Sequence, residues 1–225
     1  ALTFEAALFQ QDYSDPQARI FVAFPLPGGG SITSNSLANL DAATVQGAEV
    51  SALWRPLDGL EIGGSVTALD TEIEQAADAS GGANAATFNG KPLPFASDLS
   101  ATLHARQAWT LGGDMRLSLE AAAKYQSEYF LDAEGRNDRR QGPVTLVDAA
   151  ARLALADGTE LSLWGRNLTD EDYALSGYGF IGYDTFRSMP AAWGVSVRME
   201  RYGRGLSATD RRCQQGGAGA LANAM

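Results

Sequence analysis

The chain is short of the residues that most often carry chemistry. It has one cysteine, Cys213, and one histidine, His104, among 225 residues. A single cysteine excludes a disulfide within the chain, and one histidine without a cysteine cluster excludes an ordinary His-based zinc site. Basic residues are also scarce: 17 Lys and Arg stand against 27 Asp and Glu, for a net charge of −10. Nucleic acid is therefore disfavoured as a partner, because binding its phosphates draws on basic surface. Nowhere do roughly eighteen apolar residues run together, so no helix spans a membrane. That absence leaves a spanning β-barrel open, because barrels hide their hydrophobicity in alternation. The eight prolines (16, 25, 27, 56, 92, 94, 143 and 190) all fall at turns, loops or strand ends. A proline there breaks no central ladder.

What is present is alternation with period two. Leu99, Ala101, Leu103, Ala105 and Trp109 interleave with Asp98, Ser100, Thr102, His104 and Arg106. Leu117, Leu119, Ala121, Ala123 and Tyr125 interleave with Arg116, Ser118, Glu120, Lys124 and Gln126. The runs at 60–68 and 147–155 behave the same way, whereas Phe9 and Phe21 fall on the wetter side of the first two segments. Successive strand side chains point to opposite faces, so each segment has an oily and a wet side. Tight connections are predicted at Asp15-Pro16, Pro56–Gly59, Leu111–Asp114 and Asp157-Gly158, and long ones at 25–39, 76–91, 131–142 and 169–183. Short turns on one rim and long loops on the other predict an all-β fold, an antiparallel up-and-down transmembrane β-barrel.

The pattern predicts nine strands, at roughly 2–13, 17–25, 42–55, 60–74, 95–109, 115–130, 143–155, 159–168 and 185–201. An odd count does not close in an up-and-down bacterial barrel, which predicts that these strands belong to a larger one. The chain opens inside a strand-like run, which predicts a removed leader or further sequence before Ala1. Residues 203–225, rich in Gly and Ala and without alternation, read as a disordered tail after a 1–202 barrel portion.

Candidate functional residues follow from the two faces. The wet face supplies Glu49, Glu61, Asp98, Arg106, Glu120, Lys124, Asp148, Arg152 and Arg166 as a lumen lining, with mixed signs suited to cross-strand ion pairs or simply to solvation. Trp164 shares their side. Trp54 and Trp109 sit on the oily face beside tight turns, where a membrane-interface girdle belongs. The loop around Tyr178, Phe180 and Tyr183 mixes aromatics with glycines and offers external ligand contacts. The run Arg136–Arg140 reads as a solvated charge run or as a contact for lipopolysaccharide phosphates. For catalysis, Ser100 lies too far along an extended strand from His104 to be activated by it, so no enzyme is predicted and no cofactor.

Three motifs, taken together, resemble the C-terminal barrel of TonB-dependent outer-membrane receptors. They are Asn39-Leu40-Asp41-Ala42-Ala43-Thr44-Val45-Gln46-Gly47-Ala48-Glu49, then the run Leu161–Tyr173 containing Asn167-Leu168-Thr169-Asp170 and Tyr173, then Met189-Pro190-Ala191-Ala192-Trp193-Gly194-Val195. Tyr13-Ser14-Asp15-Pro16-Gln17 looks like a family turn. Two departures stand out: Ala191 where the family usually has Arg, and Tyr202 one residue out of phase with Trp193, Val195, Val197 and Met199. The resemblance implies a plugged barrel of roughly 22 strands, of which this chain supplies the last nine. It implies outer-membrane lipid, a plug and further strands beyond this chain, the inner-membrane TonB complex and a small nutrient ligand as partners. It also implies a Gram-negative outer membrane as location. The family takes up ferric siderophores, vitamin B12, haem, nickel or carbohydrates. A passive or structural barrel without energy coupling, and a soluble antiparallel β-protein, are the other readings.

Overall fold

The computed structural model describes residues 1–40, 42–75, 88–179 and 183–199. Within them the chain is strand and connection, with a single 3₁₀ turn at Asn137–Arg139. Eight strands make one antiparallel meander: β1 (Leu2–Ser14), β4 (Ala42–Trp54), β5 (Leu60–Gln75), β6 (Leu99–Thr110), β7 (Arg116–Gln126), β10 (Val144–Ala154), β11 (Thr159–Arg166) and β14 (Ala192–Met199). Each neighbour in that order is the next strand along the sheet, and β1 and β14 form its two open edges. The predicted tail, 203–225, lies outside the described residues.

The remaining strands extend the hairpins beyond this sheet. β2 (Gln17–Pro25) pairs with β3 (Ser31–Asn39), β8 (Tyr129–Phe130) with β9 (Arg140–Gln141), and β12 (Ala174–Gly179) with β13 (Tyr183–Arg187). This corrects the nine-strand expectation. Asp15-Pro16 is not a turn, and 25–39 is not a loop. Ser14 pairs with Ala42 and, past a short interruption, Gln17 pairs with Asn39, so the chain runs on into one long hairpin. Asp15 takes φ +53° and Pro16 has no N–H to donate, so the ladder breaks there without reversing. The Leu40 N–H bridges the gap to the Pro16 carbonyl at 2.7 Å. The strand at 17–25 therefore leaves the main sheet, and the count within it becomes even.

Apart from Asp15-Pro16 and 25–39, the connections segregate as predicted. Three short turns, after β4, β6 and β10, lie on one rim, and the four long connections lie on the other. Register joins the oily positions of every strand into one face. One row crosses Ala52, Gly64, Leu103, Ala123 and Val147, and a later one Ala151, Leu163 and Val195. This face is not covered: Leu103 is 57% exposed and Val195 69%. The well-buried residues lie elsewhere, where the long connections pack against the strand ends. Leu40, Ala43, Ile73, Phe88, Tyr129, Leu131, Ala133 and Ala174 are all found there.

Phe9 explains its own exception to the alternation. It lies on the wet face, directly opposite Gly47, and its ring fills the space a Gly47 side chain would take. A Cβ at Gly47 would come within 2.8 Å of Phe9 Cζ and 2.5 Å of the Ala68 carbonyl oxygen. The backbone oxygen has no room to retreat. Gly47→Ala is expected to cost about 1–3 kcal/mol through overpacking, measured as a lowered denaturant midpoint. An unchanged midpoint would show that the ring and strand β5 shift freely.

Candidate functional site

The wet side of the sheet is a concave wall enclosing a cleft of ≈ 800 Å³, lined among others by Glu61, Arg106, Glu120, Arg152, Trp164 and Arg166. Strand parity places these side chains, because each stands an even number of residues from another wet position on its own strand. Register then sets their neighbours. Arg106 faces Glu120 across β6 and β7, and the Arg106 Nε–Glu120 Oε1 distance is 3.3 Å. The other Glu120 oxygen is held by Arg152 of β10. Glu61 binds Arg55 Nη2 at 2.7 Å. Ser65 and Thr102 share a hydroxyl hydrogen bond of 2.7 Å across β5 and β6. All of these groups remain partly open to solvent, so each pair is worth about 0–1 kcal/mol.

Trp164 is the aromatic in the lining of the cleft. Its Nε1–H donates to Ser196 Oγ at 3.1 Å, its ring lies over Gly194, and the Arg166 guanidinium sits 5.7 Å from the ring centroid. The cleft lining therefore combines paired charges, hydroxyls and one aromatic plate, and it suits contact with a polar, hydrogen-bonding surface. No three of His, Cys, Asp and Glu among the described residues gather closely enough to hold a metal ion. His104 stands opposite Gly63 and packs against it.

Several predicted residues land apart from the cleft. Glu49 is on the same face but opposite Thr67, two strands from Arg106. Lys124 is exposed between Thr102 and Leu146. Asp98 precedes β6, and its carbonyl accepts the Leu69 N–H at 2.9 Å. Asp148, by contrast, does line the cleft, and its carboxylate accepts the Asn167 N–H at 2.8 Å. Trp54 and Trp109 are on the apolar face beside the short turns, 49% and 42% exposed. Tyr178 and Tyr183 belong to the β12–β13 hairpin, opposite Asp184 and Gly179, so the described part of this stretch is a paired ribbon. Phe180 lies outside the described residues.

Asn167, Leu168 and Tyr173 turn out to form the hinge of the β11 exit. Asn167 takes φ +49°, a conformation that Asn tolerates better than most residues. Its Nδ2 donates to the carbonyls of Glu171 (2.9 Å) and Met189 (3.0 Å), and its Oδ1 accepts the Glu171 N–H at 2.9 Å. One side chain thereby ties the end of β11 to the approach of β14. The Leu168 side chain covers Gly165, and the Tyr173 N–H reaches Ser188 Oγ at 3.1 Å.

Sequence reasoning missed the packed knot of the 127–143 connection. Arg139 Nη1 bridges Asp132 (3.0 Å) and Glu134 (2.9 Å), while Arg140 binds Glu128 and Arg136 binds Asp138. Each guanidinium of this run already rests on a carboxylate of its own connection, which accounts for the cluster without a lipopolysaccharide phosphate. The signal was present as acids at 128, 132 and 134 just before the three arginines, with Asp138 among them. Burial pushes the Glu134 carboxyl up despite Arg139, whereas hydrogen bonding to Arg136 holds Asp138 below the usual carboxylate range. Arg187 does the same to Asp172.

Comparison with known proteins places this architecture. Residues 1–168 match the family model described as TonB dependent receptor-like, beta-barrel. No curated protein sequence matches. Among solved structures, the ferric yersiniabactin uptake receptor FyuA from Yersinia pestis has a TM-score of 0.64 at 15% identity, over 89% of this chain and 35% of that one. The siderophore receptor PiuA from Acinetobacter baumannii gives 0.64 at 20%, over 87% and 26%. The ferric-catecholate import receptor Fiu from K12 E. coli gives 0.61 at 19%, over 88% and 25%. At such identities the likeness is one of fold, and the chain spans about a quarter to a third of the length of these structures. By the family match, the chain belongs to the TonB-dependent receptor-like β-barrels.

Proposed function

We propose that the chain is part of an outer-membrane receptor of a Gram-negative bacterium, serving energy-coupled uptake of a nutrient complex such as a ferric siderophore. The observation that carries this reading is the continuous, uncovered apolar face of the sheet. A soluble sheet buries such a face against a second layer. Here its large side chains stay exposed while the buried residues gather among the long connections. Lipid is the solvent that makes that arrangement favourable. The solved relatives, receptors named for ferric complexes and siderophores, support the choice of cargo.

In this reading Trp54 and Trp109 mark one membrane interface, and Trp193, at the opposite end of the apolar band, the other. Glu49, Asp98, Arg106, Glu120, Lys124, Arg152 and Arg166 face the aqueous interior and a plug supplied by sequence beyond this chain. That further sequence also makes the contact with the TonB complex. The β12–β13 hairpin, which carries Tyr178 and Tyr183, faces ligand from the outer rim. The role is that of a receptor, not an enzyme.

The test is accumulation of a radiolabelled ferric catecholate by cells with and without the intact protein, before and after the proton-motive force is collapsed. Uptake that needs both the protein and the gradient is expected. Protein-dependent uptake that survives collapse would instead identify a passive barrel.

A further inference from the structure

Among the described residues, five that are not glycine take a positive φ: Asp15, Phe95, Asp114, Asn167 and Asp170. Four of them are Asp or Asn, whose short polar side chains tolerate the left-handed region. Phe95, at φ +61°, is the exception. It stands at the corner of a tight turn in which the Ala96 N–H donates to the Leu93 carbonyl at 3.3 Å. Pro94 holds the second position and Phe95 the third, as in a type II turn, where the third position ordinarily takes glycine. A bulky side chain there is strained, and such strain persists only where the surroundings enforce it. Here they do. The Phe95 N–H donates to the Phe130 carbonyl at 2.8 Å, and the Leu93 N–H donates to Thr71 Oγ1 at 3.0 Å.

The turn lies on the inner side of the sheet. Thr71 shares the parity of Glu61, Ser65 and Thr67 along β5, whose register with β4 is unbroken as far as Ile73. Its hydroxyl therefore points to the wet face, and the Leu93 N–H that reaches it comes from that side. Ala43 and Ile73, register partners of the same parity, are buried where the connections fold inward. The Phe95 ring rests against Tyr129, with centroids 6.0 Å apart and planes tilted by 46°. Tyr129 is itself buried, and its hydroxyl donates to the Ala174 carbonyl at 3.2 Å, at the start of β12. The contact still leaves Phe95 48% exposed. The ring is thus backed on one side and open on the other, at a corner where glycine would remove the strain.

We propose that Phe95 is a cargo-contact residue. Its open side takes a planar aromatic group of the transported ligand, such as the ring of a metal-bound catecholate, at the long-connection mouth of the lumen. The inference rests on the receptor reading above and adds to it one residue and the chemical group that residue recognises. Tyr129 holds the ring in place before cargo arrives, so little side-chain freedom is lost on contact.

Replacing the ring separates a contact role from a packing role. Uptake of a radiolabelled ferric tris-catecholate is followed in cells producing the intact protein or its variants. Phe95→Gly and Phe95→Asn both suit the turn. Each should raise the concentration for half-maximal uptake about three- to tenfold, the size of one aromatic contact, with the maximal rate little changed. Phe95→Tyr keeps the ring and should stay within about twofold of the parent. The denaturant midpoint of the purified protein should not fall in Phe95→Gly, because relief of the turn offsets the lost contact with Tyr129.

An unchanged half-maximal concentration in Phe95→Gly beside an active parent would overturn this inference alone. So would a loss in Phe95→Tyr as large as in Phe95→Gly. A midpoint that falls in both Phe95→Gly and Phe95→Asn would make the ring a packing element and overturn it too. A parent without protein-dependent uptake would overturn the receptor reading, and this inference with it.

Discussion

Leu103→Arg is expected to destabilise the protein in lipid by about 2–4 kcal/mol, and Thr102→Arg by much less. The two residues are adjacent in β6 but opposite in environment. Leu103 stands between Gly64 and Ala123 near the middle of the apolar band, away from both rims. On the proposed placement a guanidinium there must be drawn into hydrocarbon or must thin the bilayer around itself. Thr102 stands between Ser65 and Lys124 on the polar wall. Arginine in its place loses one hydroxyl contact and gains a hydrated interior position near another cation. The measurement is the unfolding free energy of each variant in lipid vesicles. Equal losses at both positions would reject the assignment of faces, and with it the membrane placement.

Asn167→Asp should be nearly as damaging, at about 2–4 kcal/mol, although it changes one atom. The substitution removes both N–H donors and turns a carboxylate toward the Glu171 and Met189 carbonyls that received them. The side chain is only 9% exposed, so water cannot make up the loss in full. Asn167→Ala should fall in the same range, since it abandons all four side-chain bonds, a long one from the Thr169 hydroxyl included, and leaves a β-carbon at φ +49°. Thr169→Ala nearby, which loses a 3.0 Å bond to the Thr145 carbonyl from an exposed position, should cost about 0.5–1 kcal/mol. Denaturant midpoints of the three variants separate these cases. A loss at Asn167→Asp no greater than at Thr169→Ala would remove the side chain from its clamping role.

The clamp shows how the sequence carried function and mechanics in different ways. Asn167, Leu168 and Tyr173 were recognisable as a motif, but nothing in their spacing said that the amide would reach Met189, twenty-two residues on. Such a contact depends on where the β12–β13 ribbon returns the chain. The 127–143 connection is the converse case. Its acids and arginines look like a solvated charge run, and only folding brings Asp132 and Glu134 onto one nitrogen of Arg139. The strand count failed for a local reason. Asp-Pro is a strong turn signal, and whether the chain reverses there or merely breaks its ladder is decided by the partner strand. At Asp15-Pro16 that partner was β3, hidden in a stretch whose Ser, Asn and Gly content reads as loop.

Alternation, loop segregation and the position of the tryptophans were determined by sequence alone. They depend on the two-residue repeat of an extended chain and on turn chemistry, both of which act over a few residues. Register and the concave wall were decided only in three dimensions. A period of two says which face a side chain takes, but not which residue on the next strand it will meet, and pairings across long connections are free of any local constraint.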